Sequence, residues 1–295
     1  MDRINRRGHK EKYFVGKHLR FCEIKYQILN NYLSTYPPRF PCPTEFHVSE
    51  LRHDTNFSGL QAILSDPGFK DPGTGTNASQ GLVWWSLAIT GNGIADAERR
   101  FLLQKGVDNG CKPFLYKFTS SPAFRKASRL GNFRFTFPIT ELLESYADQF
   151  CQGRAPQMRI YETVVYKQEV MYAVVVHAPD VQKEFKKYPL LEDCSTAPCS
   201  FQDGKIVWRP QGLSKTHAFR LAPASKTLVK KVPRKKRKFC MWDHVVLAFH
   251  VPQDKIFRFE KETLVKHLSL CQGTLPNLNT EGFIKCEFEA NSDHQ

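Results

Sequence analysis

The sequence predicts an α+β protein, and three observations carry that prediction. Strictly alternating runs such as Phe133-Arg134-Phe135-Thr136-Phe137 have the period of half-buried strands. Helix-period stretches are short and scattered between them. The strand-like runs follow one another at hairpin-like intervals, without the regular crossover helices of a doubly wound sheet.

Taken in order, residues 1–40 are basic and aromatic, and Ile24, Ile28 and Tyr32 recur at helical spacing. This predicts a helix from Phe21 to Tyr32 before Pro37-Pro38 stops it. A strand is expected over residues 45–53, with Phe46, Val48 and Leu51 inward. Ser58 is the expected cap of the next helix, Gln61 its reciprocal partner and Leu60, Ile63 and Leu64 its buried stripe, with Asp66-Pro67-Gly68 as the stop. The Gly- and Thr-rich tract 71–80 reads as loop, and residues 81–89 as a buried strand. An amphipathic helix is expected over 94–104, with Ala97, Phe101 and Leu102 inward and Glu98, Arg99 and Arg100 outward.

Residues 114–118 and 133–137 alternate as strands. Pro138 opens a helix to Phe150, with Ile139, Leu142, Leu143, Tyr146 and Phe150 on one face. Two Val-rich strands follow, one holding Glu162 and the other Val174. Beyond Pro189 strands are expected at 206–208, 217–221, 245–251 and 256–259, and a short helix at 261–269. There is no internal repeat.

With 295 residues, 41% hydrophobic, including 23 Phe and 10 Tyr, the chain can bury a large core. No apolar run reaches the ~18 residues of a membrane span, and the first residues lack a secretory signal, so the expected location is nucleus or cytoplasm. Nine cysteines at irregular spacing fit reduced thiols better than a disulfide framework, and the sequons at Asn56 and Asn77 are expected to carry no glycan. The net charge of +14 is concentrated: residues 1–20 contribute +5 and residues 226–238 contribute +8, leaving +1 elsewhere. A nearly neutral body with two basic arms argues for local, salt-sensitive contacts and against a whole face gripping phosphate.

One constellation suggests chemistry. Glu162 stands near the start of an apolar strand, where a carboxylate can point into a cleft; His53 and the Trp84-Trp85 pair lie at other strand ends. The runs Glu162-Thr163-Val164-Val165-Tyr166 and Glu169-Val170-Met171-Tyr172-Ala173-Val174-Val175 resemble the closing strands of poly(ADP-ribose) polymerase-type ADP-ribosyltransferases. Leu51-Arg52-His53-Asp54-Thr55 with the following helix and Gly68-Phe69 is similar to that superfamily's His-Gly-Thr element. Gly81-Leu82-Val83-Trp84 falls where the superfamily has Gly-x-Tyr-Phe. The three elements keep the superfamily's order across residues 45–180. Asp54 replaces its Gly, and no Tyr fills its second position.

That resemblance implies a split antiparallel-rich sheet, NAD as substrate, and loss of nicotinamide through an oxocarbenium-like transition state. Glu162 would hold a ribose hydroxyl and stabilise the developing charge. His53 would orient the adenosine ribose, Thr55 would join the cofactor-binding residues, and Trp84 or Tyr166 would stack on nicotinamide. The stretch around Trp84-Trp85-Ser86-Leu87 also looks like vertebrate virus-induced, interferon-stimulated families, which implies antiviral innate immunity. The plainer reading makes Glu162 a solvated edge charge, pairs His53 with Asp54 or Asp66, and puts both tryptophans in the core.

The dense basic run Lys230, Lys231, Arg234, Lys235, Lys236, Arg237 and Lys238 reads as a loop, because Pro233 and like-charge repulsion disfavour helix and strand. It fits an import-receptor signal, a nucleic-acid contact or an anionic-lipid contact, and Phe239 and Trp242 could stack on bases. Cys194, Cys199, Cys240 and His244 make a weak zinc set, and ordinary buried thiols are the preferred reading, so no metal is expected. No serine or cysteine sits in a nucleophile elbow.

The expected organisation is a basic segment 1–40, an ADP-ribosyltransferase-like domain 41–182 and a β-rich extension 183–290 containing the basic loop 226–238. The expected function is a mono-ADP-ribosyltransferase acting on a protein or nucleic acid. The alternative is a catalytically inactive module that binds nucleic acid or a partner through the basic loop.

Overall fold

The computed structural model of the chain describes residues 1–5, 8–28, 44–71, 81–104, 121–124, 128, 130–167, 169–191, 195–212, 219–223, 229–233 and 241–271. In chain order the strands are β1 (Asp2–Ile4), β2 (Lys10–Val15), β3 (Phe46–Val48), β4 (Glu50–Thr55), β5 (Gly68–Phe69), β6 (Leu82–Leu87), β7 (Phe133–Pro138) and β8 (Gln157–Tyr166). They continue as β9 (Glu169–His177), β10 (Cys199–Gln202), β11 (Lys205–Trp208), β12 (Phe219–Pro223), β13 (Val229–Pro233), β14 (Trp242–His250), β15 (Phe257–Arg258) and β16 (Leu268–Leu270). The helices are α1 (Phe21–Gln27), α2 (Phe57–Ser65), α3 (Gly91–Gln104), α4 (Ile139–Phe150), α5 (Gln182–Phe185) and α6 (Lys261–His267).

Nine strands form one sheet in the order β1-β2-β8-β9-β14-β6-β4-β7-β16. Its described pairings are antiparallel except for β9 with β14, which run parallel through eight paired residues. The chain is therefore mixed α and β around a large, mostly antiparallel sheet. Among the described residues no helix is long and apolar enough to cross a membrane.

The two faces of the sheet differ. Val83, Trp85 and Leu87 of β6, Val245, Leu247 and Phe249 of β14, and Val170, Tyr172, Val174 and Val176 of β9 enter the main core. There they meet α2, α3 and α4 and the three-stranded sheet β10-β11-β3. Ten residues of this core are aromatic rings less than 2% exposed, Trp85, Trp208, Tyr146 and Tyr172 among them; each fully buried apolar side chain contributes on the order of 2 kcal/mol. The opposite face carries a smaller cluster of Leu82, Tyr161, Ala173, Val175, Val246 and Ala248 beneath Phe185 and Tyr188. Small floor residues under large walls leave hollows on that second face.

Several expectations hold. Phe46, Val48 and Leu51 are buried, although β3 and β4 belong to different sheets. α4 buries Ile139, Leu142 and Tyr146, and its cap is Pro138, whose fixed φ starts the helix without an N–H to satisfy.

Others are corrected. The cap of α2 is Asn56, whose side chain accepts the Gly59 N–H at 2.9 Å, and Ser58 lies inside the first turn. Glu98, expected outward, is 5% exposed. Ile28 is already extended, so α1 ends at Gln27; residues 29–43 lie outside the described residues, as do all but Asp71 of the expected loop 71–80 and the whole expected strand 114–118. Residues 268–270 continue as β16, not helix, because they pair with β7 at the sheet edge. β10 was not legible in the sequence; its residues pair with β11 in register, Cys199 opposite Trp208.

The two basic arms are corrected most. β1 pairs antiparallel with β2, and β2 pairs with β8, Val15 opposite Glu162, so the two N-terminal strands complete the sheet edge. Lys230 and Lys231 lie in β13, opposite Ala222 and Leu221 of β12, and not in a loop. Cross-strand pairing with β12 offsets the repulsion that argued against a strand, and Pro233 stands at the strand end, where it breaks no central ladder. Arg234, Lys235, Lys236, Arg237 and Lys238 lie outside the described residues.

Candidate functional site

Glu162 sits at an irregularity in β8. Ile160 pairs with Val174 and Glu162 with Ala173, so Tyr161 is the extra residue of a bulge. A bulge sets two residues against one, and here both Tyr161 and Glu162 turn toward the second face, which strict alternation would not allow.

Its carboxylate is occupied. Arg3 of β1 donates Nη1 to Oε2 at 2.8 Å and Nη2 to Oε1 at 2.7 Å, a fork-to-fork pair. The same guanidinium donates Nε to Glu11 at 2.7 Å and lies 4.6 Å from the centre of the Tyr13 ring. Asn5 donates to the other Glu11 oxygen at 3.0 Å. Glu162 is 3% exposed, and Arg3 holds its charge more firmly than usual because two carboxylates bracket it.

His53 lies elsewhere. It pairs with Phe135 and its ring meets Phe69 at 5.1 Å and Trp85 at 5.5 Å, both members of the main core. Its Nδ1 is 2.9 Å from the Trp84 carbonyl oxygen and donates to it, and burial lowers its pKa, so the imidazole is neutral. Three strands, β9, β14 and β6, separate it from Glu162, a span of about 19 Å at the usual strand spacing, and the two side chains leave the sheet on opposite faces. The expectation that they share one cleft is thus corrected. The cause is the register: odd-numbered residues of β4 face the core, and the bulge turns Glu162 the other way.

The remaining positions do not repair the site. Thr55 closes against Gly59 and Gly131, where any added Cβ would lie about 2 Å from the Thr55 hydroxyl or carbonyl. Trp84 does share the face of Glu162, but its ring packs on Tyr161 at 6.2 Å. Tyr166 stacks on His9 at 5.2 Å, four residues beyond Glu162. Asp54, at the position of the superfamily's Gly, is held by Arg134 through two bonds of 2.7 and 3.0 Å, which keeps its carboxyl below the usual range. As placed, these residues do not fit a dinucleotide, and no step through NAD is derived from them.

Of the zinc set only Cys199 and His244 are described. Cys199 is buried, with Sγ 3.6 Å from His18 Nδ1, and its thiol is pushed up to about 12. His244 is 3.1 Å from Glu169, while Cys194 and Cys240 lie outside the described residues. Among the described residues no group of three or more His, Cys, Asp or Glu is arranged to hold a metal.

The residues that tie the site together were missed in the sequence. Arg3 was read as part of a basic fringe; the signal that could have placed it is the pair of short runs around Asn5 and Gly8, where Asn5 caps the turn and Gly8 takes a φ of 75°. Asp243, fully enclosed, accepts from Trp208 Nε1 at 3.0 Å and from the backbone N–H groups of Gln211 and Gly212 at 2.9 and 3.2 Å. Burial outweighs those donors and lifts its carboxyl to about 7. It pins the segment after β11 to β14, a structural task.

No family model, curated protein or solved structure matches this chain.

Proposed function

We propose that the chain is a catalytically silent module of ADP-ribosyltransferase type that binds nucleic acid through its basic hairpin. The observation that carries the silent half is the closed pair of Arg3 and Glu162: a carboxylate with both oxygens bonded to one guanidinium and only 3% exposed is already neutralised and covered where a ribose hydroxyl would have to reach it. The position of His53 on the other face supports the same reading.

The binding half rests on charge and its support. β12 and β13 form a two-stranded sheet separate from the main one, with Arg220, Lys230 and Lys231 in the ladder and five further Lys/Arg directly after Pro233 in sequence. A basic two-stranded ribbon concentrates positive charge where it can follow a phosphate backbone, and each neutralised phosphate releases counterions. Apart from residues 1–20, which carry +5, the rest of the chain is close to neutral, so binding is local.

Two assays test this. Binding of a labelled single-stranded 20-mer should weaken steeply with salt, and replacing Lys235, Lys236, Arg237 and Lys238 with Gln should reduce the log–log salt slope by about three. Incubation with labelled NAD should mark neither the protein nor an added acceptor. Transfer of label that disappears in Glu162→Ala would overturn the silent reading, and a salt slope unchanged by the four substitutions would overturn the binding one.

A further inference from the structure

A hollow of about 270 Å³ opens on the second face of the sheet, beside but not including Glu162. Its floor is Leu82 and Gly81, and its walls are the rings of Tyr161, Phe185, Tyr188 and His250. Lys187, Glu184 and Gln253 stand at the rim. Gly81 and Leu82 belong to the run matched to the superfamily's Gly-x-Tyr-Phe, but none of Glu162, His53, Thr55, Trp84 and Tyr166, the residues given a role on NAD, lines it.

The walls are fixed before any ligand arrives. Arg159, buried in β8, donates Nη1 to the Tyr188 carbonyl at 2.8 Å and Nε to His177 Nε2 at 2.9 Å. His177 is neutral, donating Nδ1 to the Ala178 carbonyl at 2.8 Å, and its ring stacks on Phe185 at 4.7 Å. Ile160 N donates to the Pro189 carbonyl and Leu191 N to the Met158 carbonyl, which laces the segment after α5 to the sheet. Gly81 is required beneath it: its φ is 62°, and a Cβ there would meet the Val251 carbonyl at 2.3 Å.

The lining has the chemistry of a base site. Tyr161 and Tyr188 meet edge to face at 5.0 Å, and Phe185 and His250 at 5.0 Å, so four rings border an open hollow whose lining beyond Gly81 and Leu82 is polar. His250 lines the hollow and has no ring hydrogen bond among the described residues, so its neutral ring has one donor and one acceptor to offer. Above it the run Lys183-Glu184-Phe185-Lys186-Lys187 places three ammonium groups against one carboxylate, and Lys187 Nζ lies 5.0 Å from the Tyr188 ring centre. The volume falls just short of a drug-sized pocket and suits one planar ring system with part of a sugar.

We propose that this slot binds a single nucleobase, stacked among Tyr161, Phe185 and Tyr188 and hydrogen-bonded by His250, with the phosphate of the same nucleotide held by Lys187. Stacking on aromatic walls tolerates any base, and the ammonium rim selects nucleotide over nucleoside. The glutamate at the rim, Glu184, accepts from an exocyclic amino group and repels a misplaced phosphate. The site is independent of the basic hairpin.

Calorimetry on the full chain with AMP, adenosine, inorganic phosphate and a 12-mer oligoribonucleotide tests it. AMP should bind saturably, adenosine about threefold more weakly, and phosphate alone not at all; Lys187→Gln should remove that threefold advantage. Gln253→Trp, a change at an exposed rim position, should fill the mouth and abolish AMP binding without moving the melting temperature. A free nucleotide is the natural occupant if only AMP loses affinity in this variant, and a strand if the 12-mer loses it too. Absence of AMP binding, phosphate binding as tightly as AMP, or AMP binding unchanged in Gln253→Trp would each overturn the proposal. The hairpin substitutions should leave AMP binding intact, so failure of one reading is separate from failure of the other.

Discussion

Arg3 decides what Glu162 can do. The carboxylate is nearly fully buried and both of its oxygens depend on one guanidinium, itself about one-third exposed and shared with Glu11. Removing the cation leaves a buried carboxylate with its two best donors gone, so Arg3→Ala should cost about 2 kcal/mol, a figure kept low because water enters where the exposed part of Arg3 stood. Glu162→Gln should cost less, and the double variant should cost clearly less than the two single losses combined, because the second change no longer strands a charge. Urea denaturation of the three variants checks this; strict additivity would mean that the pair contributes no coupling.

At the scale of elements, the N-terminal hairpin and the bulge in β8 act together. β2 pairs with residues 162–165 of β8, and Gly16 N donates to the Tyr161 carbonyl at 2.7 Å, so the hairpin covers the strand directly beside the bulge. Beyond it the chain is stitched across the sheet: Leu19 N donates to Thr163 Oγ1 at 2.9 Å, and Thr163 donates to the Lys17 carbonyl at 2.6 Å. Deleting residues 1–15 exposes the unpaired edge of a ten-residue strand and leaves Glu162 without Arg3. Such an edge is a template for another chain. The truncated protein should melt lower and self-associate, which light scattering across a concentration series reads; a monomer with unchanged melting would show that the hairpin is an ornament on the edge.

For the molecule as a whole, the buried imidazoles set the acid limb of stability. His18 donates Nε2 to the Ala173 carbonyl at 2.9 Å and faces the Cys199 thiol with Nδ1, and burial lowers its pKa to about 4. Its folded pKa lies below the unfolded value of about 6.5, so the unfolded chain takes the proton first and the stability present above pH 6.5 is lost as pH falls toward 4, by about 3 kcal/mol in all. His53, His177 and His250 shift in the same direction, each chiefly through burial. Asp243 opposes them: its carboxyl is raised to about 7 from an ordinary 3.8, so its contribution is present at low pH and lost as pH rises through that window. His18→Gln, which keeps an N–H for Ala173, should flatten the acid limb between pH 6.5 and 4. Asp243→Asn should steepen it while lowering stability throughout, because an amide N–H would face existing donors. Denaturant melts across pH 4.5–7.5 read both, and an unchanged slope in His18→Gln would remove the imidazole from this account.

Local pattern determined a good part of this protein. A continuous apolar run marked β6, alternation marked β7, and the apolar stripe with Pro138 marked α4, because these signals are written in adjacent residues. The composition of residues 226–238 marked the basic segment in the same way, although its pairing as β13 needed β12. What only tertiary structure decided is which face each side chain meets. A one-residue bulge at Tyr161 sends Glu162 to the second face, the register of β4 sends His53 to the first, and a salt bridge between residues 3 and 162 closes the carboxylate. These follow from long-range pairing, in which one extra residue reverses a face and a contact across more than 150 positions leaves no local trace.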